Sequence, residues 1–411
     1  MTVNGIWDWA LLNARKINVN DLRKKTLAID GHIWLYESVK GSQTHYKTES
    51  TYLITFFKRL MKLVEQNIKP VVVFDSLVTS PSTSQDFCQR KRRSSCYGEQ
   101  YFTDFSDKVL KCQALLHKMG IKMIYATRDG EAQCAQLEVD GIVDGCITTD
   151  FDYFLFGGKN LYRIVFEDNL KDITHISIKD LAIDEKRVTR NSLVSLAILL
   201  GCDYFEKGVK GIGIATGLEA IGEFGGNPDD DPSVILDRFC SYVRAEVPER
   251  PKDSETKQKL RKRKFQFPEG FPNSDSVFEA ISIYLQPKTT LFKKEEFHEI
   301  LPQKMAEVEK MLRDECGWTP EKMNKEKKLP QYFLPLKKPR YQPVVEKCSE
   351  EEYKEETRKY AENRKRKTPQ VIKPNLPRKR RSCKISNTNS TTSSIILDDS
   401  PNSSIEIIQI D

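Results

Sequence analysis

Carboxylates at the ends of apolar runs are the residues of this chain with the clearest chemistry. Asp30 ends TLAID, Asp75 ends PVVVFD and Asp150 ends GCITTD. Ligand sites in open α/β sheets lie beyond the carboxyl ends of the strands, so acids placed in this way are expected to converge. Asp152 stands two residues after Asp150, which puts both side chains on one face of an extended chain. Asp129 and Glu131 open a segment of helical pattern, where acids also favour the helix dipole. Asp203 follows the glycine that closes the apolar stretch SLVSLAILLG. Seven carboxylates in one place cannot all stay ionised unless cations offset them. Oxygen-only ligands suit Mg²⁺ or Mn²⁺, and a pair of such ions supports in-line attack on a phosphodiester. The competing explanation is that each acid is only a helix cap or turn residue.

The elements that must position these acids follow from hydrophobic pattern. TLAID and PVVVFD are strands, and residues 51–66 have helical periodicity. After a polar, basic stretch at 79–100 the pattern predicts a helix over 105–119, a strand over 121–125, a helix after Asp129 and the strand GCITTD. LYRIVF, a segment around ITHISI and an apolar helix over 192–201 follow. Strands separated by helices imply a doubly wound α/β fold with a mainly parallel sheet flanked by helices. GGNPDDDP at 225–232 reads as a loop, and 233–320 reads as helical with an interruption at FPEGFPN. Beyond about 330, Pro, Lys/Arg and Ser/Thr/Asn dominate, the composition of a disordered tail.

Composition narrows the classes. A chain of 411 residues suits two domains and a tail. No run approaches the ~20 apolar residues that span a bilayer, so no membrane partner is expected. The N-terminus has no apolar signal core, so secretion is not expected. Ten scattered Cys without a CxxC pair read as core thiols of a reducing compartment, not as disulfides or a zinc site. The net charge of +7 is unevenly spread: 331–385 carries +10, 386–411 carries −4, and 1–330 is left with +1. The excess basicity therefore belongs to the tail and by itself says nothing about the folded part. No GxxxxGK[ST], HExxH or GxSxG motif is present.

Six blocks, MTVNGIWDWA, TLAIDGHIWLYES, KPVVVFDS, DGEAQCAQL, DGCITTDFDYFLFG and LAILLGCDYFEKGVKGIG, resemble in order the flap-endonuclease/XPG superfamily of structure-specific nucleases. FEKGVKGIG and the segment DGCITTDFDYFLFGGKNLYR look most like its Holliday-junction-resolvase (GEN) branch. The resemblance is strong over about 1–225 and weaker over 258–335, through RKRKFQFPEGFPN and ECGW. It implies a PIN-like/XPG nuclease core at 1–225, made of an N-terminal region (about 1–85), an arch (about 76–104), an internal region (about 105–205) and a helix–two-turn–helix (about 206–225). A helical extension at 226–330 and a tail at 331–411 complete the division. By the same resemblance Asp30, Asp75 and Glu131 hold one metal, and Asp150, Asp152 and Asp203 hold the other, with Glu131 near both. Asp129 stands where the family usually has Glu, one methylene longer, which implies a water-mediated contact. Thr2 stands where the family has Gly.

Family DNA contacts carry over to Arg59 and Tyr36, the first onto the backbone and the second by stacking on a base. A solvated helix face and simple core packing are the respective alternatives. In the arch, Lys91 and Arg92 match a catalytic Lys-Arg pair, Arg92 steadying the scissile phosphate. Gln85 occupies the spacing of a missing partner lysine, a gap that Arg90 or Arg93 fills. KGVKGIG resembles the helix–two-turn–helix hairpin, with Lys207, Lys210, Gly211 and Gly213 against DNA and K⁺ on its carbonyls. Ile214 stands where the family usually has Pro or Lys. KLRKRKF at 259–265 is a second candidate backbone contact, or else a solvated face.

In the tail, Arg364, Lys365, Arg366 and Lys367, ten spacer residues, then Arg378, Lys379, Arg380 and Arg381 form a bipartite nuclear-import pattern or a non-specific DNA-attracting patch. Ile395, Ile396 and Leu397, and Ile405, Ile407 and Ile408, resemble SUMO-interacting motifs, with a chance apolar stretch as the alternative. The sequence thus leads to a nuclear, Mg²⁺-dependent endonuclease with two ions per site, Mn²⁺ able to substitute, that resolves Holliday junctions and cuts 5′ flaps. Its expected partners are branched DNA, an import receptor and SUMO, with a monomer in solution and a dimer on junctions. A 5′-flap endonuclease, a 5′→3′ exonuclease and a non-catalytic junction-binding scaffold are the competing readings.

Overall fold

Apolar runs become the central strands of a seven-stranded sheet. In a computed structural model, residues 5–45, 51–75, 99–166, 170, 172–183, 186–225, 227, 229–297 and 303–318 are described, all within one compact unit. The basic run Arg90–Arg93, most of the expected arch and the whole tail, with its import and SUMO-like motifs, lie outside the described residues.

The chain runs through α1 (Ile6–Leu12), β1 (Arg15–Ile17), β2 (Thr26–Asp30), α2 (Gly31–His45), α3 (Thr51–Glu65) and β3 (Lys69–Phe74). It continues through α4 (Glu99–Met119), β4 (Lys122–Tyr125), α5 (Gly130–Val139), β5 (Cys146–Ile147), α6 (Asp152–Leu155), β6 (Asn160–Ile164) and β7 (Ile173–Ser177). The sheet order is β1-β7-β6-β5-β2-β3-β4. The five strands from β6 to β4 are parallel, whereas β7 runs antiparallel to both β6 and β1. This is the mainly parallel sheet that the pattern predicts.

Both faces are covered, which is why the strands read as continuous apolar runs rather than alternating ones. Ala28, Val71, Val73 and Ile124 face one core, which takes in α1 and α5. Leu27, Ile29, Val72 and Phe74 face the other, with α2, α3 and α4. The thiols of Cys112, Cys134, Cys146, Cys202 and Cys240 are buried and free, as their scattered spacing leads one to expect.

After β7 come α7 (Arg190–Leu200), α8 (Ile214–Phe224), α9 (Pro232–Val243), α10 (Glu255–Lys262), α11 (Asp275–Leu285) and α12 (Met305–Cys316). The helices beyond 225 do not build a core of their own. Ile235, Leu236, Phe239, Ile281 and Tyr284 join the first core, while Val308, Leu312 and Trp318 join the second. Helix α12 is held on α4 by ion pairs Lys111–Glu315 (2.6 Å) and Lys118–Glu307 (2.8 Å), and Trp318 packs edge-on against Phe57.

Candidate functional site

The sheet order explains why the acids meet. From β2 the chain moves outward to β3 and β4, then returns to the other side of β2 with β5. The crevice between β2 and β5 is a topological switch point, the place where open α/β sheets bind ligands. Asp30 is the last residue of β2, and Thr148, just past β5, donates its hydroxyl to Asp30 Oδ2 across that crevice (3.1 Å). Asp30 Oδ1 accepts the backbone N–H of Ile33 in the first turn of α2 (3.0 Å).

Asp75 follows β3, and its Oδ1 accepts the N–H of Gly130 at 2.9 Å. A Cβ on residue 130 would lie 2.9 Å from that same oxygen, so only glycine lets the amide and the carboxylate meet. Asp129 and Glu131 flank Gly130 at the start of α5. The acids of neighbouring parallel strands are thus brought to one edge of the sheet by β2, β3, β5 and the start of α5.

Asp150 and Asp152 are brought together differently from the expected extended alternation. Asp150 Oδ1 accepts the N–H of Asp152 (3.1 Å), and Asp152 begins α6. Strand β5 ends at Ile147, so the chain has already turned, and a side-chain-to-backbone bond at i, i+2 pairs these acids. Asp152 Oδ2 in turn accepts the hydroxyl of Tyr284 (2.9 Å). Asp203, after α7, is the exposed member of the set.

Electrostatics show that the acids form one group. Burial, then repulsion from Asp75 and Asp150, raises Asp30 to about 7. Glu131 is pushed well above the usual carboxylate range by burial and by Asp30, Asp75, Asp150 and Asp129. Burial, then Asp150 and Asp203, raises Asp152 in the same way, and burial chiefly raises Asp150. Asp129 rises to about 6 because burial outweighs the nearby Arg128 guanidinium (3.7 Å) and a hydrogen bond from Tyr204. These acids are oxygen donors only, they repel one another, and they are buried or half-buried. That donor set fits hard divalent cations. Among the described residues no three His, Cys, Asp or Glu side chains stand in ligating geometry around a single point.

The flanking candidates divide. The Tyr36 ring is exposed on α2 with the Lys40 ammonium over one face (4.4 Å), so core packing does not account for it. Arg59 on α3 is largely enclosed: it bonds Glu37 Oε2 (2.9 Å) and lies over the Trp34 and Phe166 rings. With Thr55, Lys58, Lys62, Val165 and Phe166 it lines a cleft of ≈ 230 Å³.

Lys207, Lys210, Gly211 and Gly213 are exposed on the loop between α7 and α8. Gly208, at φ +50°, turns this loop back so closely that a Cβ there would lie 2.7 Å from the backbone of Leu200 and Gly201. Gly213 caps α8 without a side-chain bond, which leaves that helix N-terminus open. The loop is also paired with the second basic run: Lys210 and Gln266 exchange both backbone hydrogen bonds (3.2 and 3.0 Å). Within that run Arg261 and Arg263 are committed internally, to Val247 and Glu249 and to Thr216 and Glu219, whereas Lys262 and Lys264 are exposed. Two residues of the site carry no signal in the sequence: His32, whose Nδ1 accepts the N–H of Asp75 (2.9 Å), and Tyr284.

The XPG N-terminal domain matches residues 1–96 and the XPG I-region matches residues 120–203. Flap endonuclease GEN homolog 1 of Homo sapiens is 32% identical over 231 residues, which cover 54% of this chain and 25% of that protein. DNA excision repair protein ERCC-5 of Mus musculus is 36% identical over 180 residues, 43% of this chain and 14% of that one. The solved catalytic core of Rad2 in complex with DNA substrate shares 27% identity at a TM-score of 0.61, over 79% of this chain and 98% of that one. This chain spans about a quarter of the length of the human and mouse GEN homologues. The chain thus carries the XPG N-terminal domain and the XPG I-region in that order on this sheet, and it is similar to the GEN, ERCC-5 and Rad2 nucleases.

Proposed function

We propose that this protein is a nuclear, structure-specific DNA endonuclease that hydrolyses a phosphodiester in branched DNA, four-way junctions and 5′ flaps above all. The observation that carries this reading is the convergence of Asp30, Asp75, Glu131, Asp150 and Asp152 at the switch point of the sheet, where burial and neighbouring carboxylates raise Asp30, Glu131, Asp150 and Asp152. Acids in this state are penalised as carboxylates by burial and mutual repulsion, and divalent cations would stabilise the ionised forms. Asp30, Asp75 and Glu131 would hold one Mg²⁺, and Asp150, Asp152 and Asp203 the other, with Asp129 supporting from the start of α5. Bound there, the ions would supply charge to the scissile phosphate and favour attack by water, leaving a 5′-phosphate and a 3′-hydroxyl. Mn²⁺, with the same preference for oxygen, would substitute.

The chain's own residues orient the substrate. Tyr36 offers a ring face at the surface for a base, and Lys207, Lys210 and Lys264 offer charge to a duplex arm. The open N-terminus of α8 adds backbone amides aimed at an anion. K⁺ on the hairpin carbonyls, Lys91 and Arg92 on the phosphate, the import pattern at 364–381 and the SUMO-like segments belong to the same reading. The preference for junctions rests on the resemblance of FEKGVKGIG and DGCITTDFDYFLFGGKNLYR to the Holliday-junction-resolvase branch, and symmetric double cutting would require two copies on one junction.

The test is cleavage of synthetic four-way junctions and 5′ flaps in Mg²⁺, with Asp30→Asn as control. Paired symmetric nicks support resolution, and flap cutting alone supports the 5′-flap endonuclease instead. If neither substrate is cut, or the Asp30→Asn protein cuts equally well, the proposal is wrong.

A further inference from the structure

The helices beyond residue 225 reach into the acid cluster through one short stretch. Tyr284, the penultimate residue of α11, is fully buried and donates its hydroxyl to Asp152 Oδ2 at 2.9 Å. Arg190, at the start of α7, donates to the carbonyl of Leu155 in α6 (2.8 Å) and to those of Tyr284 (2.5 Å) and Leu285. Six residues past Tyr284, Thr290 exchanges a pair of bonds with the buried side chain of Gln133: Gln133 Nε2 donates to the Thr290 carbonyl and Thr290 N–H donates to Gln133 Oε1, both at 2.8 Å. Gln133 lies two residues after Glu131 on α5. The hydroxyls of Thr127 and Thr290 add a further contact at 2.9 Å, just before Asp129. Residues 284–290 therefore fasten the acid-bearing segments on both sides of the crevice.

We infer that Tyr284 is a positioning residue for Asp152, and that the strap 284–290 makes the helical extension part of the metal-binding machinery rather than an appendage. The chemistry is that of an outer partner on a ligating carboxylate. The phenol donates to Oδ2 and fixes the carboxylate plane, so the group would be presented to a cation in one orientation. The Tyr284 ring is itself held by edge contacts with Tyr204 and a tilted contact with Phe156, and Tyr204 hydrogen-bonds Asp129. One pair of tyrosines thus serves an acid on each side of the site. Without the hydroxyl, Asp152 loses its side-chain donor and is free to turn away. This inference rests on the reading of the acids as a divalent-cation site.

The experiment is Mn²⁺ titration of the full-length protein, followed by electron paramagnetic resonance, without DNA or turnover. Tyr284→Phe removes one oxygen and keeps the ring, so the circular-dichroism spectrum is expected to be unchanged while Mn²⁺ affinity falls by about tenfold, the usual effect of losing an outer partner. Gln133→Leu, which releases the strap at its other end without touching an acid, is expected to weaken Mn²⁺ binding in the same direction and decides the matter if Tyr284→Phe does not fold. Wild-type protein that binds Mn²⁺, together with variants that bind it equally well, overturns this inference alone. Wild-type protein that binds no Mn²⁺ overturns the metal reading and this inference with it.

Discussion

The imidazole of His32 accepts, at Nδ1, the backbone N–H of Asp75 at 2.9 Å. A ring nitrogen that accepts carries no proton, so this bond assigns the neutral tautomer with the proton on Nε2. The 3.6 Å approach of the same Nδ1 to the Asp75 carboxylate is then not an ion pair. His32 sits two residues after Asp30 and holds the residue that follows β3, so it ties the ends of two acid-bearing strands together.

That bond makes a directional prediction. His32→Ala leaves the amide of Asp75 without its acceptor, at a cost of roughly 1–3 kcal/mol. His32→Asn places an amide oxygen close to the position of Nδ1 and is expected to recover most of the loss. His32→Gln places it nearer to Nε2 and is expected to recover little. Urea midpoints of the three variants, with cleavage measured alongside, separate this account from one in which the ring only fills space, because Asn fills it less well than Gln.

The raised acids set the pH dependence of the metal-free protein. A carboxyl whose folded pKa is raised contributes stability that is fully present below its unfolded value and is lost as pH rises through its folded value. For Asp30 that window runs from 3.8 to about 7, and for Asp129 from 3.8 to about 6. The metal-free protein is therefore expected to lose stability across pH 4–7 on account of these groups. Divalent cations bind the ionised forms, so the rise in Tm on adding Mg²⁺ in place of EDTA is expected to be small at pH 5 and larger at pH 8. A Mg²⁺ shift that is equal at both pH values would contradict it.

Gly130 is the third test. A methyl group there would meet Asp75 Oδ1 at 2.9 Å, closer than the carboxylate tolerates, and the N–H bond to that oxygen would be displaced. Gly130→Ala is expected to lower kcat by about ten- to a hundredfold through the lost partner of a candidate ligand. Alanine is the better helix former, so stability is expected to fall less than activity. A variant with full activity would show that Asp75 does not depend on this bond.

How much of this was legible depended on the range of the signal. Asp30 and Asp75 were readable because a buried parallel strand writes an unbroken apolar run, and the acid at its end marks the edge where ligands bind. The pairing of Asp150 with Asp152 was readable but not its geometry: β5 stops at Ile147, and a local turn then does the work assigned to strand alternation. Tyr36 and Arg59 each had two readings, and only exposure and the Glu37 partner distinguish them. Tyr284 and Gln133 gave no signal. Tyr284 meets Asp152 across 132 residues of chain, and Gln133 meets Thr290 across 157, and no periodicity records such a meeting. The same holds for the extension as a whole, whose helical pattern was plain but whose sharing of both cores was not.

The two basic runs read as separate contacts, 207–213 and 259–265, form one surface through the Lys210–Gln266 bridge. Four lysines of that surface, Lys207, Lys210, Lys262 and Lys264, are exposed, whereas Arg261 and Arg263 are spent on internal partners. The prediction separates these two kinds of cation. Charge reversal at Lys210 or Lys264 is expected to weaken binding to a duplex arm whatever its sequence, and each lost phosphate contact lowers the slope of log K against log salt by about 1. Combining the two is expected to add, since each lysine neutralises its own phosphate on one continuous face. Arg263→Ala is expected instead to loosen α10 from α8, lowering the urea midpoint with little change in the salt slope. Fluorescence anisotropy on a duplex between 50 and 200 mM salt gives both slopes. Equal slopes for Lys264→Glu and Arg263→Ala would show that the bridge does not sort structural cations from those that face DNA.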